Sequence, residues 1–537
     1  MKPEAMKEEE KTDIKKMSWA ALSGLLLTCS FPKIGLAWFA WFALVPLFVS
    51  LRNTSIKKSF FAGMTAGFVH YLTLLYWLIN TMQTYGNIAF YISVSILVIF
   101  AAYLALYFAI FSACFTWLNL KPAASFFIAP ILWVCLEYTR SFMLSGFPWE
   151  LAGYSQFKWL PIIQIADFTG VYGVSFLIIL GNITICFLFL HITKKKLHCF
   201  KVTGHILAAA CLIFLLLFSF LFFYGKWRIN CMDRLISTSP SLKVALVQGN
   251  IDQLVKWDRE FQESTTKKYI RMSRPDNCQM STNQKPDLIV WPETAAPFYF
   301  LINKRLTQIV EKGIRDTGSY FLIGSPSFKL NNKQNEFYNS AYLVNPDGRS
   351  VAQYDKTHLV PFGEYIPFSR FFPFLGKIVE GVGDFKSGQK GKTVALGKNR
   401  IGIQICYEII FPGLSRAMVK NNATLLVNIT NDAWFGKTSA PYQHFSMAVF
   451  RAVENRRSLA RSANTGISGF IDPVGRIKGK TDLFTEKVLA QSIPLLNNHS
   501  FYTRFGDIFV YICIIVLLSV LFIKRLTLKG ENNVNRA

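Results

Sequence analysis

The chain has 537 residues and ten cysteines, but no Cys-x-x-Cys pair, and most of the cysteines fall inside apolar runs. Neither a disulfide framework nor a zinc site is therefore expected. No cluster of His, Cys and carboxylates has metal-ligand spacing, so no metal and no organic cofactor is implied. His358 and His444 are read as structural or polar-contact residues rather than ligands. No repeat or low-complexity tract stands out. Acidic residues are also scarce, 32 against 58 Lys and Arg, leaving a formal charge of +26. Such an excess would suit nucleic acid if it clustered on a folded face with aromatics placed for stacking. Many of these lysines instead lie between or beside apolar runs, so membrane orientation accounts for them better and no nucleic-acid partner is expected.

What is abundant is apolar: 52% hydrophobic residues and 49 Phe, too many for a protein wholly in water. Residues 1–16 are polar and lysine-rich, as in the first part of a signal peptide, but no clear small-residue cleavage site follows and the apolar segments continue. They cover residues 17–30, 35–51, 59–82, 87–118, 123–143, 160–192, 202–224 and 508–523. A crossing takes about 20 residues, so the first is short and is expected to form a helical hairpin with the second. Eight spans result. The loops at 1–16, 52–58, 119–122, 194–201 and 524–536 are basic, whereas those near Ile34, Thr84 and residues 146–159 carry almost no positive charge. Eight spans with both termini cytoplasmic satisfy this asymmetry and put the long insert outside the cytoplasm. The expected organisation is a membrane domain over 1–225 with seven transmembrane helices, an outer domain over 226–506, and a last helix with its tail over 507–537.

The loop from Gly146-Phe-Pro-Trp149 to Trp159 is rich in aromatics, either an interfacial belt or the floor of a lipid-facing cavity. Glu137 and Arg140 stand at i, i+3 on one helix and could pair. The outer domain reads as strands alternating early with helices, then joined by Gly, Pro and Asp turns, which indicates a layered α/β domain with its sheets covered by helices.

Within it, Ile401-Gly-Ile-Gln-Ile-Cys-Tyr-Glu408 is an alternating strand that delivers the thiol of Cys406 to its end. Alone, Cys406 would be read as a small apolar filler. Two other segments change that reading. Asp287-Leu-Ile-Val-Trp-Pro-Glu293 presents a carboxylate at a strand end, and Lys356 is followed eight residues on by Glu364. A thiol needs a base and a nearby cation to act as a nucleophile. Glu293 can take the proton, Lys356 can stabilise the oxyanion, the amides of Tyr407 and Glu408 can add donors, and Glu364 can hold Lys356 or Glu293 in place.

Trp291-Pro-Glu293, Lys356 with Pro361-Phe-Gly-Glu364, Cys406-Tyr-Glu408 and Thr430-Asn-Asp-Ala-Trp-Phe-Gly436 together resemble the nitrilase, or carbon-nitrogen hydrolase, superfamily. With the spans, Val247-Gln-Gly-Asn250, Lys256-Trp257-Asp258, Tyr338-Asn339, Gln443-His-Phe445 and residues 461–466, the chain resembles the apolipoprotein N-acyltransferase family of bacterial inner membranes. The resemblance implies an αββα sandwich joined to a bundle of about eight membrane helices. It also implies transfer of a fatty acyl chain from the sn-1 position of a phospholipid, usually phosphatidylethanolamine, to the α-amino group of a diacylglyceryl-cysteine at an apolipoprotein's start. By the family's pattern Cys406 carries a thioester, Glu293 is the general base and Lys356 stabilises the tetrahedral intermediate. Glu364, Tyr407, Glu408, Trp257 and Asn339 match supporting or substrate-contacting positions.

The implied partners are the phospholipid donor, the lipoprotein acceptor and membrane lipids, with the chain acting as a monomer and its catalytic domain in the periplasm. Residues 361–375, with Phe368, Phe371, Phe372 and Phe374, are read either as an arm dipping into the outer leaflet or as a buried loop, and a gating loop is placed within 371–386 by position alone. Two other readings remain: a membrane-tethered amidase using water, and a transporter, which the few ionisable residues in the spans and the absence of a second half disfavour.

Overall fold

The computed structural model describes residues 2–197, 199–274, 276–277, 285–331, 334–366 and 385–534. The expected gating loop and most of the apolar arm, including Phe368, Phe371, Phe372 and Phe374, lie outside them. The chain divides into two compact units, Met1–Tyr76 with Val94–Lys226 and Asp507–Ala537, and Trp77–Ser93 with Trp227–Gly506.

Among the described residues, five helices are long and apolar enough to cross a membrane: Phe90–Leu118, Pro122–Arg140, Val171–Ile192, Gly204–Thr238 and Ile508–Thr527. In hydrocarbon a helix satisfies every backbone polar group within its own segment, so such runs adopt no other form there. The apolar run at 59–82 is a bent pair, Ile56–Leu74 and Trp77–Thr84, meeting at 50°, and makes a sixth span if taken as one. The run at 17–30 lies within the helix Lys2–Cys29. The run at 35–51, expected as the second arm of a helical hairpin, is not one continuous helix. It folds as a 3-10 turn, Ala37–Trp41, and a short helix, Val45–Ser50. Pro46 sits in the first turn of the latter, where its missing N–H costs nothing, and so starts a new helix instead of continuing one.

Small residues allow these helices to approach closely. A Cβ added to Gly63 would stand 2.3 Å from the Phe108 carbonyl oxygen, so a side chain there would force the two helices apart. Glu137 and Arg140 each bond to other partners instead of closing the expected pair. Glu137 Oε1 accepts from Trp133 Nε1 at 2.9 Å and from the Ala152 amide at 2.7 Å, and Arg140 donates to the Tyr71 hydroxyl. In the aromatic loop Trp149 and Tyr154 are buried, while Trp159 is exposed.

The second unit contains two six-stranded sheets. In chain order the strands are β1 (Ser241–Gln248), β2 (Leu288–Val290), β3 (Tyr320–Asn331), β4 (Gln334–Val344), β5 (Ser350–Asp355), β6 (Thr393–Leu396), β7 (Asn399–Ile405), β8 (Leu425–Thr430), β9 (Ser458–Ala463), β10 (Gly469–Ile471), β11 (Ile477–Lys480) and β12 (Lys487–Pro494). One sheet has the order β12-β1-β2-β3-β4-β5 and the other β11-β10-β9-β8-β7-β6. The centres are parallel, β1 with β2 and β3, and β7 with β8 and β9.

Parallel strands buried on both faces read as continuous apolar runs, and these do. Ala245, Val247, Ile289, Trp291, Phe321, Ile323, Tyr342 and Val344 form one core with Tyr269 and Met272 of the helix Arg259–Met272 and with Leu306, Val310 and Ile314 of the helix Lys304–Thr317. On the other sheet the helix Pro412–Lys420 lies so close to β7 that a Cβ on Gly402 would come within 2.8 Å of the Met418 Cβ. Ser462 Oγ of β9 donates to the carbonyls of Val247 and Val290, both at 3.1 Å, and so joins the two sheets.

Candidate active site

β7 ends at Ile405, and the next residue turns sharply. Cys406 has φ of 53°, a left-handed conformation that a non-glycine side chain adopts only when its surroundings hold it there. The 3-10 turn Cys406–Ile410 then begins, and the thiol sits at its start, 8% exposed. Burial raises the thiol pKa, the negative charge of Glu293 raises it further, and Lys356 opposes both without prevailing. At rest the sulfur is therefore a thiol and needs a base.

The loop after β2 brings Glu293. Its Oε1 accepts from Asn339 Nδ2 at 2.8 Å and stands 3.8 Å from Lys356 Nζ, while its Oε2 accepts from the Asn431 amide at 2.9 Å. Lys356 follows β5 and is 1% exposed. Its ammonium pairs with Glu364 Oε1 at 2.9 Å. Burial works against that charge, but Glu364, then Glu293, outweigh it and hold the lysine pKa above its ordinary range. Lys356 is thus a fixed cation, unable to serve as a base near neutral pH.

Glu364 is fixed in turn by the Val360 amide at 2.8 Å and by Asn339 Nδ2 at 2.9 Å. Asn339 thus bridges both carboxylates. Its own carbonyl oxygen, Oδ1, is buried and has no hydrogen-bond partner among the described residues.

Of the other residues singled out, Glu408 is fully buried and accepts from the amides of Ile405, Thr357 and His358 at 2.7, 2.6 and 3.1 Å. It ties the Lys356 loop to the Cys406 turn. The Tyr407 ring packs against Phe411 at 5.2 Å and His358 at 5.9 Å. Trp257 is 41% exposed. Among the described residues no three His, Cys, Asp or Glu side chains come together as metal ligands.

For three features the sequence reading named the motif but gave no contact. Lys256 is completely buried and donates to the Glu293 carbonyl at 3.1 Å and to Thr294 Oγ1 at 2.7 Å. The Asn431 amide holds the carboxylate of Glu293. Behind Cys406, Asp432, His444 and Arg461 form a buried polar cluster. The available signal was the run Thr430-Asn-Asp, polar residues at the end of a strand that pairs in parallel with the one delivering Cys406.

The Trp77–Ser93 segment belongs to this unit. Tyr85 donates to the Ala433 carbonyl at 2.9 Å, Thr81 to that of Trp434 at 2.8 Å, and Trp77 Nε1 to Gln443 Oε1 at 3.2 Å. The loop holding Asn431 and Asp432 is braced by these bonds.

Residues 23–184 match the apolipoprotein N-acyltransferase N-terminal domain, and residues 243–497 match the carbon-nitrogen hydrolase domain. The chain is 43% identical over 92% of its length to the apolipoprotein N-acyltransferase of Geobacter metallireducens, covering 92% of that protein. It is 32% identical over 94% of its length to that of Bdellovibrio bacteriovorus, covering 93%. Among solved structures, a mutant amidase from Nesterenkonia sp. AN1, carrying an acetamide moiety on its active-site cysteine, aligns with 51% of this chain and 98% of its own, at 18% identity and a TM-score of 0.36.

Proposed function

The chain belongs to the apolipoprotein N-acyltransferase family and is an acyltransferase, and from that premise we propose that it moves a fatty acyl chain from the sn-1 position of a phospholipid, phosphatidylethanolamine foremost, to the α-amino group of a diacylglyceryl-cysteine on an apolipoprotein. The observation that carries this reading is the buried set around one thiol: Glu293, Lys356 and Glu364 joined through Asn339, with both Glu293 and Lys356 acting on Cys406.

Glu293 takes the thiol proton as sulfur attacks the ester carbonyl, and Lys356 faces the negative charge that develops on oxygen. The tetrahedral intermediate collapses to a Cys406 thioester, and Glu293 returns the proton to the departing lysophospholipid oxygen. The acceptor amine enters neutral and attacks the thioester. Glu293, ionised again, accepts its proton, and the thiol is restored. The order is ping-pong because both lipids use one entrance. A membrane surface suits this chemistry, since both acyl chains stay in hydrocarbon while only head groups reach the sulfur.

In this reading the chain is a monomeric, multi-pass protein of the bacterial inner membrane with eight spans, the first two formed by the apolar end of the helix Lys2–Cys29 and the short pieces between Ala37 and Ser50. Residues 226–506 face the periplasm and both termini face the cytoplasm. Cys199, exposed in a basic loop, then reacts with a membrane-impermeant maleimide only after the inner membrane is opened. Reaction in intact spheroplasts overturns the orientation.

The test of the activity uses purified protein in vesicles whose phospholipid is isotopically labelled in the sn-1 chain. Intact-mass analysis should find that chain on Cys406, lost in Cys406→Ala, and discharged onto a diacylglyceryl-cysteine peptide. An adduct on another residue, or one released only to water, overturns the proposal, the latter in favour of an amidase.

A further inference from the structure

The nucleophile turn rests on a buried polar cluster to which the reaction above assigns no role. His444 Nε2 lies 3.2 Å from the carbonyl oxygen of Cys406. A carbonyl only accepts, so Nε2 carries the hydrogen and donates it. The other ring nitrogen, Nδ1, is 2.9 Å from Arg461 Nη2 and 3.1 Å from Asp432 Oδ1. Arg461 Nη2 also donates to Asp432 Oδ2 at 2.8 Å, and Thr430 Oγ1 donates to Asp432 Oδ1 at 2.9 Å.

All four side chains are buried. Burial, then Arg461, lowers the His444 pKa, while Arg461 leads in overcoming the burial of Asp432 and depressing its carboxyl pKa well below the usual range. The charges close within the cluster as one carboxylate and one guanidinium. His444 is left neutral, with Nδ1 accepting from Arg461 and its single N–H aimed at Cys406.

The carbonyl that receives this bond belongs to the Cys406–Tyr407 peptide. A trans peptide is planar, with C=O and N–H pointing to opposite sides. Holding the carbonyl on the His444 side therefore sends the Tyr407 N–H the other way. The left-handed φ of Cys406 shows that the turn is held against its own backbone preference.

We propose that His444, seated on Asp432 and Arg461, is a positioning residue that fixes the Cys406–Tyr407 peptide so that the Tyr407 N–H faces the oxyanion formed as the Cys406 thioester is made. The assignment rests on the acyl-transfer reading. In that step sulfur bonds to the ester carbon, the carbonyl π pair moves onto oxygen, and collapse expels the lysophospholipid oxygen with the proton carried by Glu293. The peptide only donates a hydrogen bond and is unchanged.

The test compares two amide variants in the full-length protein. In His444→Gln the side-chain nitrogen reaches about as far as Nε2, and in His444→Asn only as far as Nδ1. Two rates are read for each: thioester formation from phospholipid, by intact mass, and alkylation of Cys406 by iodoacetamide, which needs the thiolate but forms no oxyanion. Thioester formation should fall about 100-fold in His444→Asn, the scale of losing one oxyanion donor, and stay close to the parent rate in His444→Gln. Alkylation should hardly change in either. Equal thioester rates in the two variants, or a parallel fall in alkylation, overturn the assignment. A parent chain that forms no adduct overturns the acyl-transfer reading itself, and this assignment with it.

Discussion

Glu408 accepts the backbone N–H of Thr357 at 2.6 Å, across 51 positions of sequence. The bond joins the residue after Lys356 to the turn that begins at Cys406, so the cation and the sulfur share one support. Glu408 also takes the amides of His358 and Ile405 and the hydroxyls of Thr357 and Tyr354. Its role is that of a buried acceptor for donors from three directions. Glu408→Gln substitutes an amide nitrogen for one oxygen and turns it toward these donors. A buried donor left unsatisfied costs about 1–3 kcal/mol. The expected result is a lower Tm together with slower thioester formation. A variant with parental Tm and rate would show that the two loops do not depend on this bond.

Asn339 donates one amide group to Glu293 at 2.8 Å and to Glu364 at 2.9 Å, keeping two carboxylates beside a single ammonium. Asn339→Asp replaces that neutral donor with a third negative charge of nearly the same shape. Like charges at this range repel, and the hydrogen bonds to both carboxylates are lost. A hydrogen bond to a charged group is worth about 1.5–3 kcal/mol, so thioester formation, followed by single-turnover intact mass, should slow by about tenfold to 100-fold. A parental rate would remove Asn339 from its place between the carboxylates.

How much of this was legible beforehand depended on whether the signal was local. Cys406 and Glu293 follow strands rich in apolar residues, and a strand that stops pairing at a polar residue can be read from neighbours alone, whereas Lys356 follows the mixed strand Ser350–Asp355 and was marked by Glu364 eight residues on. Asn339 was harder, because its value lies in a bond to two carboxylates 46 and 25 positions away. The Asn431 contact is made by a backbone amide, which leaves no trace in residue type. Lys256 entered only as part of the motif Lys256-Trp257-Asp258, and only packing shows that it is enclosed. The membrane part divided similarly. Long uninterrupted runs such as Val171–Ile192 were plain, whereas the break after Leu74 falls inside an apolar run with no proline or glycine at the bend. There Trp77, Thr81 and Tyr85 are held by hydrogen bonds within the second unit, to which they belong.

Lys356→Met deletes the cation bonded to Glu364 and leaves Glu293 and Glu364 facing each other in a buried site. Removing one partner of a buried pair destabilises by about 3–5 kcal/mol unless the remaining carboxyl takes up a proton. The thiolate also loses its neighbouring positive charge. Thioester formation should fall by about 100-fold to 1000-fold, the range for losing a preorganised electrostatic donor, while the protein still inserts in the membrane. Single-turnover intact-mass measurements give the rate, and membrane fractionation gives the insertion. A loss of under tenfold would place oxyanion stabilisation elsewhere.

Lys256 offers a test through pH. Burial, opposed only by Glu293, lowers its pKa from the ordinary 10.5 to about 7. Below about pH 7 both the folded and the unfolded chain hold this proton, and the residue adds no pH dependence. Between about 7 and 10.5 the unfolded chain holds more protons than the folded one, so stability rises with pH across that window. Lys256→Met keeps the volume and removes the titration, along with two hydrogen bonds. Measured in detergent, the Tm of the parent relative to that of Lys256→Met should increase from about pH 7 to about pH 9. A constant difference would mean that Lys256 remains an ammonium throughout, paired more strongly with Glu293 than its backbone contact implies.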